Sequence, residues 1–199
     1  MVFHRSCLHL PVFPSQLSTY STLAGALTLE APRQFTNPRR RRVPQYKTKS
    51  LPGHDPLCPP ILFDYISAQG QGVPIHDFIV LSTNALAQDI SGAHDQVLAG
   101  LGVRVMTLRI MWQGYERLNW SRSIPVSPAL SRAQLGATIA MQVWNFIEDV
   151  RSTCFEARPE WSLSLDAKIT FDNIILLGLY SIYDNIWQAD LAVDDVSSP

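Results

Sequence analysis

A chain of 199 residues, with 46% hydrophobic and 17% charged side chains, has room for one domain with a sizeable core and little room for two. Its net charge of −1 hides a division. Residues 1–54 carry Arg5, Arg33, Arg39, Arg40, Arg41, Arg42, Lys47 and Lys49 against Glu30 alone, a balance of +7, whereas residues 55–199 carry eight basic and sixteen acidic side chains, a balance of −8. Three scattered cysteines, Cys7, Cys58 and Cys154, argue against a disulfide framework, and no apolar run reaches the roughly 20 residues of a membrane span.

In chain order, residues 1–59 hold no lasting apolar period, and prolines from Pro11 to Pro59 interrupt helices and central strands. The stretch reads as a disordered basic arm, because it buries too little apolar surface to offset about 1–2 kcal/mol of backbone ordering per residue. His9, Pro11 and Pro14 break the one candidate secretory segment. A mitochondrial leader stays open as the lesser alternative: residues 1–29 lack acids and contain Ser and Thr, but Arg is sparse and Pro breaks any amphipathic helix. The expected location is therefore cytoplasmic or nuclear.

From residue 60 the character changes, and 60–195 reads as a single globular domain with 196–199 as a tail. Residues 61–66 suit a short helix stopped by Gly70 and Gly72, and 73–75 a short extended piece. Residues 77–87 fit either a strand or a buried helical turn, while Asp95, Val97, Leu98 and Leu101 give a helical face ending at Gly102. The run at 103–112 alternates β-branched and long apolar residues and is the best strand.

Ser131-Arg132-Ala133-Gln134 has capping-box spacing, followed by a stripe of Leu135, Ile139, Val143, Phe146, Ile147, Val150 and Cys154. A second stripe, including Phe171, Ile174, Ile175, Gly178, Leu179, Ile182, Tyr183 and Ile186, predicts a central helix capped by Thr170 or Asp172. The expected fold is α+β: a small sheet with a central strand at about 103–112, packed against two long C-terminal helices at about 131–154 and 170–188. Small residues Gly136, Ala137, Ala140 and Gly178 would let those helices approach closely.

No catalytic spacing appears: no glycine-rich phosphate loop, no nucleophile elbow, no paired zinc-ligand dipeptide. Cys7 and His9 with His54 and Cys58 could in principle make a tetrahedral zinc site, but one intervening residue is tight for the first pair. His76-Asp77 and His94-Asp95 are adjacent pairs whose side chains diverge, and Asp184, Asp190, Asp194 and Asp195 read as a solvated acidic end. The expectation is thus no catalytic, cofactor-binding or metal-ligating residue.

Two segments stand out. Arg39, Arg40, Arg41, Arg42, Lys47 and Lys49 form a basic patch that could act as an import signal or contact phosphate, against the plainer reading of a solubilising tail. Trp112, Tyr115, Arg117, Trp120 and Arg122 lie in a connection rich in the residue types that dominate interfaces. The plainer reading is that the Trp side chains anchor the loop to the core while the arginines pair with nearby acids.

The run from Thr107 to Glu116, then Trp120 to Val126, then Ser131 to Gly136, resembles a family of uncharacterised proteins from mushroom-forming fungi, over about residues 61–194. Here Gln113 stands where the family has Pro, and Ser131 where it has Thr. The resemblance implies a eukaryotic intracellular protein and carries no activity or cofactor. The leading expectation is a non-enzymatic protein-interaction module with a basic localising arm and a protein partner. The alternative is a nuclear protein contacting nucleic acid through residues 39–49, and the third an enzyme of unknown type. An unpaired strand at 103–112 would be a docking edge.

Overall fold

The computed structural model describes residues 34–45, 56–153 and 159–195, of which those from Phe35 onward belong to one compact unit. Its frame is one mixed sheet of seven strands. In chain order these are β1 (Arg40–Arg42), β2 (Ile61–Leu62), β3 (Val73–Pro74), β4 (Val105–Arg109), β5 (Ser121–Pro125), β6 (Ile174–Tyr183) and β7 (Ile186–Asp194), joined by helices α1 (Asp77–Val80), α2 (Thr83–Asp89) and α3 (Arg132–Arg151).

The expected pair of long C-terminal helices is corrected. The first is present as α3, with its capping box: Ser131 Oγ accepts from Gln134 N–H at 3.3 Å and Gln134 Oε1 accepts from Ser131 N–H at 3.0 Å. Leu135, Ile139, Val143, Phe146, Ile147 and Val150 are all buried, while Cys154 lies outside the described residues. The second, at 170–188, is an antiparallel hairpin of β6 and β7. Its chain reverses at Asp184, which adopts a left-handed φ of 47° between the paired Tyr183 and Ile186. Asp is among the few non-glycine residues that tolerate that conformation in a tight turn.

The helical reading of 170–188 failed because these two strands are covered on both faces. A strand buried on both sides reads as a continuous apolar run, without the period of 2 that marks a half-solvated one. Ile174, Leu176 and Leu179 face the main core with Trp187, Ala189, Leu191 and Val193, whereas Ile175, Leu177 and Ala192 form a smaller cluster with Phe35. The register shift between Leu176 and Gly178 changes which alternate residues face the core, so that Leu179 joins Ile174 and Leu176 there.

The strand at 103–112 is shorter than expected, Val105–Arg109, and is not an edge. It pairs antiparallel with β5 and parallel with β7. Residues 61–66 give β2 and a turn rather than a helix, 91–101 form turns, and 77–87 resolve into two short helices. Gly136 and Gly178 do not meet. Gly136 receives the Phe78 ring of α1, and Gly178 lies under the backbone of Ile61 in β2. Among the described residues no helix is long and apolar enough to cross a membrane.

Gly72 sits at φ +78° with the side chains of Ile175 and Leu177 at 2.6 and 2.7 Å, and the Leu176 carbonyl at 2.9 Å, from where a Cβ would stand. Gly70 has a similar φ of +75° and open space. In chemical denaturation Gly70→Ala should therefore cost only the left-handed backbone penalty, roughly 1–2 kcal/mol. Gly72→Ala should cost about 2–4 kcal/mol, because overpacking is added to it. Equal costs would show that the contacts around Gly72 yield freely.

Candidate functional site

The basic cluster lies in the sheet rather than in a free arm. β1 pairs antiparallel with β7, setting Arg40 opposite Asp194, Arg41 opposite Val193 and Arg42 opposite Ala192. Each arginine meets an aspartate. Arg40 clasps Asp194 through Nε and Nη2 at 2.6 and 2.7 Å, and its Nη1 reaches the Gln71 carbonyl. Arg41 holds Asp195 at 2.7 Å with its guanidinium 4.8 Å from the Trp161 ring centre. Arg42 clasps Asp190 through Nε and Nη2, both at 2.7 Å, and donates to Tyr180 Oη at 3.2 Å.

These fork-on-carboxylate pairs are the strong form of a charged hydrogen bond. Burial works against the Arg42 charge, but the Asp190 carboxylate outweighs it and the guanidinium pKa is raised. Three charges that an arm would offer to phosphate are thus engaged with carboxylates of β7 and the residue after it. Of the patch, Arg39 is exposed and Lys47 and Lys49 lie outside the described residues.

The Trp112–Arg122 connection is divided by burial. Trp112 is buried, donates from Nε1 to the Trp161 carbonyl at 2.9 Å, and lies against Phe146. Tyr115 is buried and its hydroxyl accepts from Leu163 N–H at 3.2 Å. Trp120 stands edge-on to Phe146 and donates to Asp149 Oδ2 at 2.8 Å. These three aromatics are anchors of the core. Arg117 and Arg122 are exposed, and Arg122 gives one hydrogen bond, from Nη2 to the same Asp149 oxygen at 2.8 Å.

The titratable pairs are equally local. Tyr65 donates to Asp77, and burial first, then that carboxylate, pushes the phenol up from its ordinary pKa. His76 stands 3.8 Å from Asp77 and 3.9 Å from Asp172. Asp95 pairs with Arg132 at 3.2 Å, and Cys58 is half-buried, which raises its thiol pKa. Among the described residues no group of three His, Cys, Asp or Glu could hold a metal ion; Cys7, His9 and His54 lie outside them.

What sequence reasoning missed is β5. Val126 N–H donates to the Arg104 carbonyl at 2.9 Å and Ile110 N–H to the Trp120 carbonyl at 3.4 Å, in register with Met106↔Ile124 and Leu108↔Arg122. Hydrogen-bonded and non-bonded residues alternate along an antiparallel pair. Arg122 and Ile124 therefore turn their backbone groups to β4, and Ser121 and Ser123 turn theirs outward. No described residue pairs with that side. Pro125, whose missing N–H would also point outward, is where an edge strand tolerates proline. The open edge offers the N–H and C=O of Ser121 and Ser123 and the C=O of Pro125. The signal in the sequence was the Ser121–Pro125 alternation, hidden by its polar residues.

Comparison of the chain with protein-family models, with curated proteins and with solved structures finds no match.

Proposed function

We propose that the protein is a non-enzymatic interaction module that receives a partner's strand on the open edge of β5. The observation that carries this reading is the edge itself: two exposed serines with outward N–H and C=O groups, beside Val105, which is 46% exposed on the neighbouring strand. Exposed edges are templates for strand addition unless they are blunted, and main-chain hydrogen bonds supply the affinity in that mode of recognition. Arg122 and Pro125 limit indiscriminate pairing on the same edge.

Nucleic-acid contact through residues 39–49 is the weaker reading, since Arg40, Arg41 and Arg42 are each neutralised by an aspartate. The edge is tested by comparing Ser123→Pro with Ser123→Ala in pull-downs from a cell extract. The Ser123 N–H makes no bond within the sheet, so both variants should unfold within about 1 kcal/mol of the parent. Partners retained by the Ala variant should be lost by the Pro variant. Retention of the same partners by both would remove the edge from the mechanism.

A further inference from the structure

The strand that fits this edge has a definite chemistry, an inference that rests on the edge reading. We infer that the partner is an extended acidic segment, pairing antiparallel with β5 and placing an Asp or Glu opposite Arg122.

The unit from Phe35 onward is nearly neutral, with fourteen basic and sixteen acidic side chains, but its charge is not evenly spread. Residues 104–126, the β4–β5 hairpin and its connection, carry Arg104, Arg109, Arg117 and Arg122 against Glu116 alone, a balance of +3. The rest of 35–199 carries ten basic and fifteen acidic side chains, a balance of −5. The hairpin that ends in the open edge is thus the cationic part of the unit, with Asp149 of α3 set against Arg122. Two of these four bond other side chains: Arg109 bonds Asn119 and Arg122 bonds Asp149.

Arg104, Arg117 and Arg122 are exposed. Arg122 lies at the middle of β5 and Arg104 opposite Val126 just beyond its end. Arg122 has spent one of its five donors, on Asp149.

The register follows from the backbone. A strand bonded to Ser121 and Ser123 places between them one residue directly opposite Arg122, in a non-hydrogen-bonded position with side chains about 4.5–5.5 Å apart at Cβ. An acid there completes a cross-strand ion pair. The residues opposite Ser121 and Ser123 face the other side, beside Thr107, whose hydroxyl is 3.5 Å from that of Ser123; short polar or β-branched side chains suit them.

A second copy of this chain is a poorer occupant. Pairing about Arg122 would set two arginines opposite each other, which is destabilising. Pairing about Ser123 would bring Pro125, with no N–H, opposite Ser121.

The test uses the full chain and synthetic peptides of about ten residues read by fluorescence anisotropy: Thr alternating with Glu, Thr alternating with Lys, and the Glu peptide N-methylated at every Thr. In the register above, the Thr residues exchange backbone bonds with Ser121 and Ser123. The Glu peptide should bind at least about fivefold more tightly than the Lys peptide, with the difference fading as added salt shortens the screening length. Arg122→Gln should narrow the gap, and N-methylation should abolish binding.

Equal binding of the Glu and Lys peptides would overturn the acidic partner and leave the edge standing. Equal binding of the N-methylated peptide would show ionic adhesion only, and the edge reading would fall with it. Binding of no peptide at millimolar concentration would overturn both. So would the acidic inference if sedimentation showed a dimer that Ser123→Pro dissolves, since the occupant would then be a second copy.

Discussion

Arg42→Ala is expected to destabilise the fold by about 2–3 kcal/mol, more than Asp190→Asn does, although Arg42 is the more exposed partner. The side chains are 42% and 4% exposed respectively. Removing the arginine strands a buried carboxylate with Tyr180 as its only remaining donor among the described residues, at 3.1 Å. Breaking a fully enclosed pair costs roughly 3–5 kcal/mol, and the wet outer side of Arg42 lowers that figure.

Asp190→Asn leaves no buried charge, keeps an acceptor for Tyr180, and frees a guanidinium that water can solvate. About 1 kcal/mol is expected. Urea denaturation of the two variants checks the order, and the reverse order would mean that Asp190 is solvated. The same geometry makes deletion of residues 33–49 a poor test of phosphate contact by the basic cluster. The deletion removes β1 and with it the pairs to Asp190, Asp194 and Asp195, so loss of any binding activity would reflect loss of fold.

The contrast between two arginine segments explains how much was legible. The α3 helix was readable to within a residue at its start, because a capping box and a one-faced apolar stripe are local signals. The β1 ladder was not, because its meaning depends on aspartates about 150 positions away. Four consecutive arginines look alike whether they face solvent or a row of carboxylates. The β6–β7 hairpin was misread for a physical reason as well. Ile174 to Tyr183 is apolar on both faces, so it satisfied a helical stripe as readily as a doubly covered strand, and only Asp184 and Asn185 marked the reversal.

At the candidate site, the plainer reading of Trp112 and Trp120 as anchors matches their burial and hydrogen bonds. The strand at 103–112, which would be a docking edge if unpaired, is paired on both sides, with β7 on one and β5 on the other. The sequence distance between β4 and β7 hides the first neighbour, and the polar character of Ser121-Arg122-Ser123 hides the second.

Trp112→Ala carries the largest expected cost, about 3–5 kcal/mol for emptying a large buried site. The ring is 1% exposed, and its Nε1–H satisfies the Trp161 carbonyl, which would be left without its donor. Trp112→Phe keeps most of the apolar volume but also abandons that carbonyl, so about 1–2 kcal/mol is expected. The gap between the two variants reports packing, and the cost of the Phe variant reports the hydrogen bond. Trp120→Ala should fall near the Ala value for Trp112, since it loses the Phe146 contact and the bond to Asp149.

Arg122→Ala, by contrast, should move the midpoint by less than about 1 kcal/mol, because an exposed ion pair contributes little to stability. Binding lost on replacing Trp120 therefore says nothing about a docking surface, whereas binding lost on replacing Arg122 in a chain that still unfolds at the parent's midpoint does. If Trp112→Ala left the denaturation midpoint unchanged, the ring would be at the surface and free to meet a partner, and β5 would lose its standing as the place where this domain is met.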